Sequence, residues 1–152
     1  MTRAGRATRW SLVALVALAA GCIGTPSTGP LEPPEIYPDR TTPESTWQTF
    51  TWAWQQGDLE VLKSVLGGWL KADLEAEIEK NGPEKTAEYY RRDAQDLVVE
   101  SARWLHHGDA ICYLRVVLSS SAVPRVELDF ALTGRGSRPA EDWVVTGKKL
   151  VR

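Results

Sequence analysis

Few residues of this chain can form cross-links or hold a metal ion. The 152 residues include two cysteines, Cys22 and Cys112, and two histidines, His106 and His107. Adjacent residues of a strand point to opposite faces, so the two histidines cannot readily share one ion. Asp109 is better explained as a residue of the turn that follows them. We therefore expect no metal, and cysteine is too scarce for a zinc site built on thiolates.

Sequence signatures of nucleotide and acyl-transfer chemistry are also missing. The chain has no glycine-rich phosphate loop, no Gly-x-Ser-x-Gly turn and no dinucleotide fingerprint, so the sequence predicts no cofactor. Its long uncharged apolar stretch, residues 10–20, has eleven residues. A membrane-spanning helix needs about 20, so this stretch is too short to remain as a span.

The N-terminus has the three parts of a secretory signal peptide. Arg3, Arg6 and Arg9 precede the apolar stretch, and small residues follow it at 19–21. Residues 19–22, Ala-Ala-Gly-Cys, resemble the lipobox of bacterial lipoproteins, although Ala19 stands where that family favours leucine. A plain secretory signal that is cut nearby, with Cys22 incidental, is the alternative.

The lipobox resemblance implies cleavage between Gly21 and Cys22 and attachment of lipid to the Cys22 thiol. Two or more acyl chains hold a protein stably on a bilayer, so the expected location is the cell envelope, anchored to a bacterial membrane. Residue 23 is isoleucine rather than the aspartate that favours inner-membrane retention, which favours the outer membrane in a Gram-negative organism. Lipid on Cys22 leaves Cys112 alone, so the mature chain has no disulfide.

The mature chain would be mildly acidic and tethered. The signal holds three of the 18 basic residues, which leaves 15 basic against 20 acidic residues and a net charge of −5. This charge argues against a nucleic-acid partner. Residues 23–41 hold five prolines and two glycines, which predicts a disordered, extended tether over 22–41. Tyr37, within this tether, can still dock on the folded domain. One domain is expected over 42–152.

The apolar pattern of 42–152 changes from a helical period to a strand period near residue 96. Thr42 and Pro43 predict the start of a helix over 42–56, followed by helices that start near 59, 70 and 83. Strands are expected over 97–106, 110–118, 125–132 and 142–151. The predicted fold class is α+β, with N-terminal helices packed on a curved, four-stranded antiparallel meander.

Two segments carry a resemblance to a fold family. Residues 56–59 (Gln-Gly-Asp-Leu) follow the amphipathic first helix, and residues 142–145 (Asp-Trp-Val-Val) open the last strand. This arrangement resembles small lipoprotein and secreted members of the nuclear transport factor 2-like superfamily, which implies a cone-like pocket between helices and sheet. Many members insert strands between the second and third helices, and this sequence predicts none. A generic helical layer on a four-stranded sheet is the alternative.

The preferred function is a non-enzymatic binding or interaction module at the cell envelope, for a small apolar ligand or an envelope protein. Its candidate pocket residues are Glu100, Trp104, Tyr113 and Tyr90. The alternative is an isomerase or dehydratase in which Glu100 is a pocket acid. A third reading is an assembly factor that works through an exposed Trp52. Cys112, on an apolar strand face, is expected to be a buried, inert thiol.

Overall fold

The protein, described from a computed structural model, has four helices and five strands over the described residues 26–122, 124–136 and 142–151. In chain order the elements are β1 (Gly29–Pro30), α1 (Pro43–Gln56), α2 (Leu59–Val65), α3 (Gly68–Asn81), α4 (Pro83–Asp93), β2 (Val98–His107), β3 (Ile111–Ser119), β4 (Val126–Arg135) and β5 (Asp142–Leu150). The predicted α+β class is confirmed. In the described part of the chain no helix is both long and apolar enough to cross a membrane.

The sheet is an antiparallel meander in the order β1-β2-β3-β4-β5. The prediction of four strands is wrong by one, because β1 lies in the proline-rich stretch that was expected to be disordered. Gly29 and Pro30 pair with Val99 and Val98 at the edge of β2. Two residues are too few to display a strand period, and a proline is tolerated on an edge strand because one side needs no backbone donor.

The segment after β1 also packs on the domain. The Tyr37 hydroxyl donates a hydrogen bond to Asp58 Oδ2 (2.9 Å), and the Thr49 hydroxyl donates one to the Asp39 carbonyl (2.7 Å). The backbone N–H of Trp143 donates to the Arg40 carbonyl (2.9 Å), so this segment also covers part of the edge of β5. Residues 29–40 therefore belong to the folded unit, which shortens the tether expected over 22–41.

The first two helices begin and end where the sequence dictates. Thr42 caps α1 by accepting from the Ser45 N–H (3.0 Å), while Ser45 Oγ accepts from the Thr42 N–H (3.1 Å). Gly57 ends α1 with a φ of +63°, and a side chain there would meet the carbonyl of Ala87 in α4. Only glycine combines this left-handed backbone with so close an approach. The tight turn lets α2 begin at once from its own cap, Asp58.

The core lies between the helices and one face of the sheet. Trp47 and Phe50 of α1 contact Phe130 of β4, with ring centroids 4.9 and 5.8 Å from it. Strand β3 supplies a row of fully buried apolar side chains to the same core, namely Cys112, Leu114, Val116 and Leu118. This row is the one that its alternating sequence predicts.

Candidate functional site

A small hollow opens where α1, α3 and α4 meet the sheet. It has a volume of about 160 Å³, and its apolar lining comes from Phe50, Trp54, Leu66, Leu70 and Phe130. Tyr89 and Tyr90 of α4 form a further wall, and Asp93 and Lys148 add one charge of each sign. Because aromatic and aliphatic side chains dominate the lining, the hollow suits a small apolar group.

One side chain that lines this hollow has a polar atom without a partner. The indole N–H of Trp54 is buried and has no hydrogen-bond acceptor among the residues that the structure describes. The Trp54 ring contacts Phe50 at a centroid distance of 5.8 Å, which fixes its position beside the core. A buried donor without an acceptor costs about 1–3 kcal/mol, so the folded domain bears this cost at Trp54.

The structure does not bring the four predicted pocket residues together. Tyr90 lines the hollow. Trp104 packs against the core from β2, where its ring contacts His107 at 5.2 Å. Tyr113 lies on the opposite face of the sheet, is 45% exposed, and lines a separate groove with Trp69. Gly21 and Cys22, the predicted cleavage and lipidation residues, lie outside the described residues.

Glu100 lies at the solvent-facing edge of the sheet rather than in a cavity. The pairing of β2 with β3 shifts by one residue between Val99 and Ser101, so Glu100 occupies a β-bulge. The bulge breaks the strict alternation of the strand, which would place Glu100 on the same face as Ala102 and Trp104. Hydrogen bonds from Ser119 and from Arg125 Nε (2.7 Å) lower the pKa of Glu100. A lowered pKa is the opposite of what a general base in a pocket requires.

The two histidines lie on opposite faces of β2, as predicted. His106 is paired with Tyr113 on the outer face, and His107 is paired with Cys112 on the inner face. His107 Nε2 lies 2.8 Å from Glu44 Oε1, which ties the end of β2 to the first turn of α1. No group of three or more ligating side chains suited to a metal occurs in the described ranges.

Cys112 is buried, as its strand pattern predicts. Burial raises the pKa of its thiol, and Sγ donates to the Gly108 carbonyl at 3.4 Å. Trp52 is only partly exposed, whereas Trp69 and Tyr89 are the large aromatic side chains of the helical layer that solvent reaches most. An assembly factor that works through exposed aromatic side chains would therefore use Trp69 and Tyr89 rather than Trp52.

Sequence reasoning missed most of the residues that line the hollow. Among its lining residues the sequence predicts Tyr90 alone. Phe50 and Trp54 lie on α1, whereas Leu66 and Leu70 lie on either side of the glycines at 67 and 68. Their convergence depends on how α3 crosses the edge of β5, where the Gly67 N–H donates to the Val145 carbonyl (2.9 Å). The adjacent glycines at 67 and 68 are the sequence feature that could have indicated this close approach to β5, since a close backbone approach favours glycine.

Comparison of the chain with profiles of known protein families, with curated proteins and with solved structures finds no match.

Proposed function

We propose that this chain is a lipid-anchored protein of a bacterial cell envelope whose folded domain is a binding module. The anchor is supported by the basic residues, the apolar stretch and the Ala-Ala-Gly-Cys motif at 19–22. If the lipid is on Cys22, only the residues between it and β1 separate the bilayer from the domain. At an upper limit of about 3.6 Å per residue, six such residues reach roughly 20 Å.

A cone of the nuclear transport factor 2-like type is the fold that we propose for this module. The order of elements supports it, since helices come first and an antiparallel meander follows. Residues 56–59 join α1 to α2, and Trp143, in the segment that carried the resemblance, is buried in β5. In such a cone the space between helices and sheet is the natural ligand site, and the Trp54 hollow occupies this space.

The observation that carries the binding function is the apolar, aromatic lining of the hollow at Trp54. We infer a small apolar ligand, because such a ligand matches this lining. An enzymatic role for Glu100 has no comparable support, since this side chain is bound to Arg125 at the surface.

The proposed lipid anchor predicts that replacing the sulfur atom of Cys22 changes the location of the protein. Cys22→Ser removes the thiol that would accept the lipid, so the variant should move from the membrane fraction to the soluble fraction. Wild-type protein extracted from the membrane should carry the mass of the acyl chains, and the variant should not. Cys112→Ala is the matched control and should stay with the membrane. A Cys22→Ser protein that remains equally membrane-bound would refute the anchor.

The ligand site predicts a bound small molecule in protein that is purified gently from its host. Native mass spectrometry should detect it, and Leu70→Phe should remove it, because a larger ring would fill a hollow of about 160 Å³. Leu105→Phe, on a side chain that is 45% exposed on β2, is the control for added apolar volume. Equal retention of the small molecule by Leu70→Phe would place the ligand elsewhere.

A further inference from the structure

A second, larger groove lies between α3 and α4. Its volume is about 700 Å³, and it is open to solvent. The side chains that matter for its chemistry are Asp73, Glu77, Lys85, Tyr89 and Tyr90. Tyr89 and Tyr90 also line the Trp54 hollow, so this pair separates an apolar site from a polar groove.

The two tyrosines form an aromatic corner. Their ring centroids are 5.7 Å apart and their planes meet at 87°. Tyr89 is 55% exposed, so a ligand can reach its ring. The face of an aromatic ring is the negative end of its quadrupole, so the exposed Tyr89 ring can offer such a face to a positive charge.

Carboxylates surround the corner on the side of α3. Asp73 and Glu77 of α3 line the same groove as Tyr89 and Tyr90. Burial raises the pKa of the Tyr90 hydroxyl, and nearby Tyr89 and acidic side chains, including Glu77 and Asp73, raise it further. Glu77 is held in place by a hydrogen bond from Asn81 Nδ2 (2.6 Å). These carboxylates favour a cation in the groove, and the aromatic faces favour one with a thin hydration shell.

Lys85 is the basic residue that lines the same groove. Within the described ranges its ammonium group makes no ion pair with Asp73 or Glu77. The carboxylates therefore remain available to a ligand. The charge of Lys85 repels a cation in the same groove and so weakens its binding.

We propose that the α3–α4 groove binds a small organic cation, with its ammonium group against the Tyr89–Tyr90 corner and facing Asp73 and Glu77. The volume suits a small molecule, and the tyrosine faces distinguish an alkylammonium group from a strongly hydrated metal ion. This site is separate from the hollow at Trp54 and does not depend on the lipid anchor. The cation proposed for the groove also differs in charge from the apolar molecule proposed for the hollow at Trp54.

The test uses the full-length chain, purified in an uncharged maltoside detergent and titrated by amide NMR. One titration uses choline, and the other uses 3,3-dimethylbutanol, its uncharged isostere. Choline should shift the amides around Glu77, Asn81 and Tyr89 and should bind roughly fivefold or more tightly than the alcohol, because only the cation gains from the rings and carboxylates. Equal binding of the two ligands, or shifts confined to another surface, would overturn the proposal.

Variants test whether choline binds at the Tyr89–Tyr90 corner or elsewhere on the surface. Tyr89→Leu should weaken choline binding by roughly two- to fivefold, the range of a cation–π contact at an exposed site, and Glu77→Gln should weaken it less. Lys85→Gln should strengthen it. Tyr113→Leu and Glu79→Gln are the matched controls, because they remove an exposed tyrosine on the sheet and an exposed carboxylate on α3. If Tyr89→Leu keeps a wild-type spectrum and wild-type affinity, the groove is not the site.

Discussion

The two faces of the sheet differ sharply in what they contact. On the inner face, Leu114 of β3 and Leu132 of β4 are fully buried under the helices. On the outer face, the next residue toward the start of β3, Tyr113, is nearly half exposed, and Arg115 binds Asp129 across the strands (2.6 and 2.8 Å). Neighbouring residues of one strand therefore experience an apolar core and an aqueous surface, which follows from the two-residue period of a strand.

The outer face is covered near β5. A side chain at Gly67 would lie 3.1 Å from Val144 Cγ2, and Val144 itself is buried. The connection between α2 and α3 thus crosses the edge of β5 and shields an apolar residue that strand alternation assigns to the outer face. It also protects part of an edge strand that would otherwise offer its backbone to another chain.

The largest expected effect comes from a change on the inner face. Leu114→Ala removes three carbons from a fully buried site and should lower the free energy of unfolding by about 2–5 kcal/mol. Ile111→Ala removes the same number of carbons from the outer face of the same strand, where the side chain is 43% exposed, and should cost roughly 1 kcal/mol or less. Urea denaturation of both variants measures the difference. Equal losses would mean that the two faces are not distinct.

The same contrast explains how much of the fold could be predicted from the sequence. The buried row on β3 follows from alternation, and the cap at Thr42 and the stop at Gly57 follow from local chemistry. Local patterns therefore predict the α+β class and the approximate starts of all four helices.

Errors arose where contacts between distant residues override a local pattern. The bulge at Glu100 turns this residue away from the core, and no feature of residues 97–106 predicts the bulge. The strand at Gly29–Pro30 forms because its backbone pairs with the edge of β2. The hollow at Trp54 combines residues from three helices and the sheet, so its position depends on packing that no single segment encodes.

A smaller, pH-dependent effect is expected on the outer face. The Arg115 guanidinium holds the pKa of Asp129 below its usual value, despite the opposing effect of partial burial. A lowered pKa in the folded state means that Asp129 stabilises the fold above its unfolded pKa of about 3.9, and that this contribution is lost as the pH falls through the folded value. Asp129→Asn should therefore be slightly less stable than wild type at pH 7, and the two should converge as the pH falls through the folded pKa of Asp129.

Thermal denaturation of wild type and Asp129→Asn between pH 2 and pH 7 checks this expectation. Added salt should shrink the difference at pH 7, because Arg115 and Asp129 are partly exposed and their interaction is screened. Glu79→Gln controls for the loss of one negative charge from the molecule. A difference that persisted unchanged at pH 2 would assign the effect of Asp129 to packing rather than to its charge, and the outer face would then resemble the inner one in how it stabilises the fold.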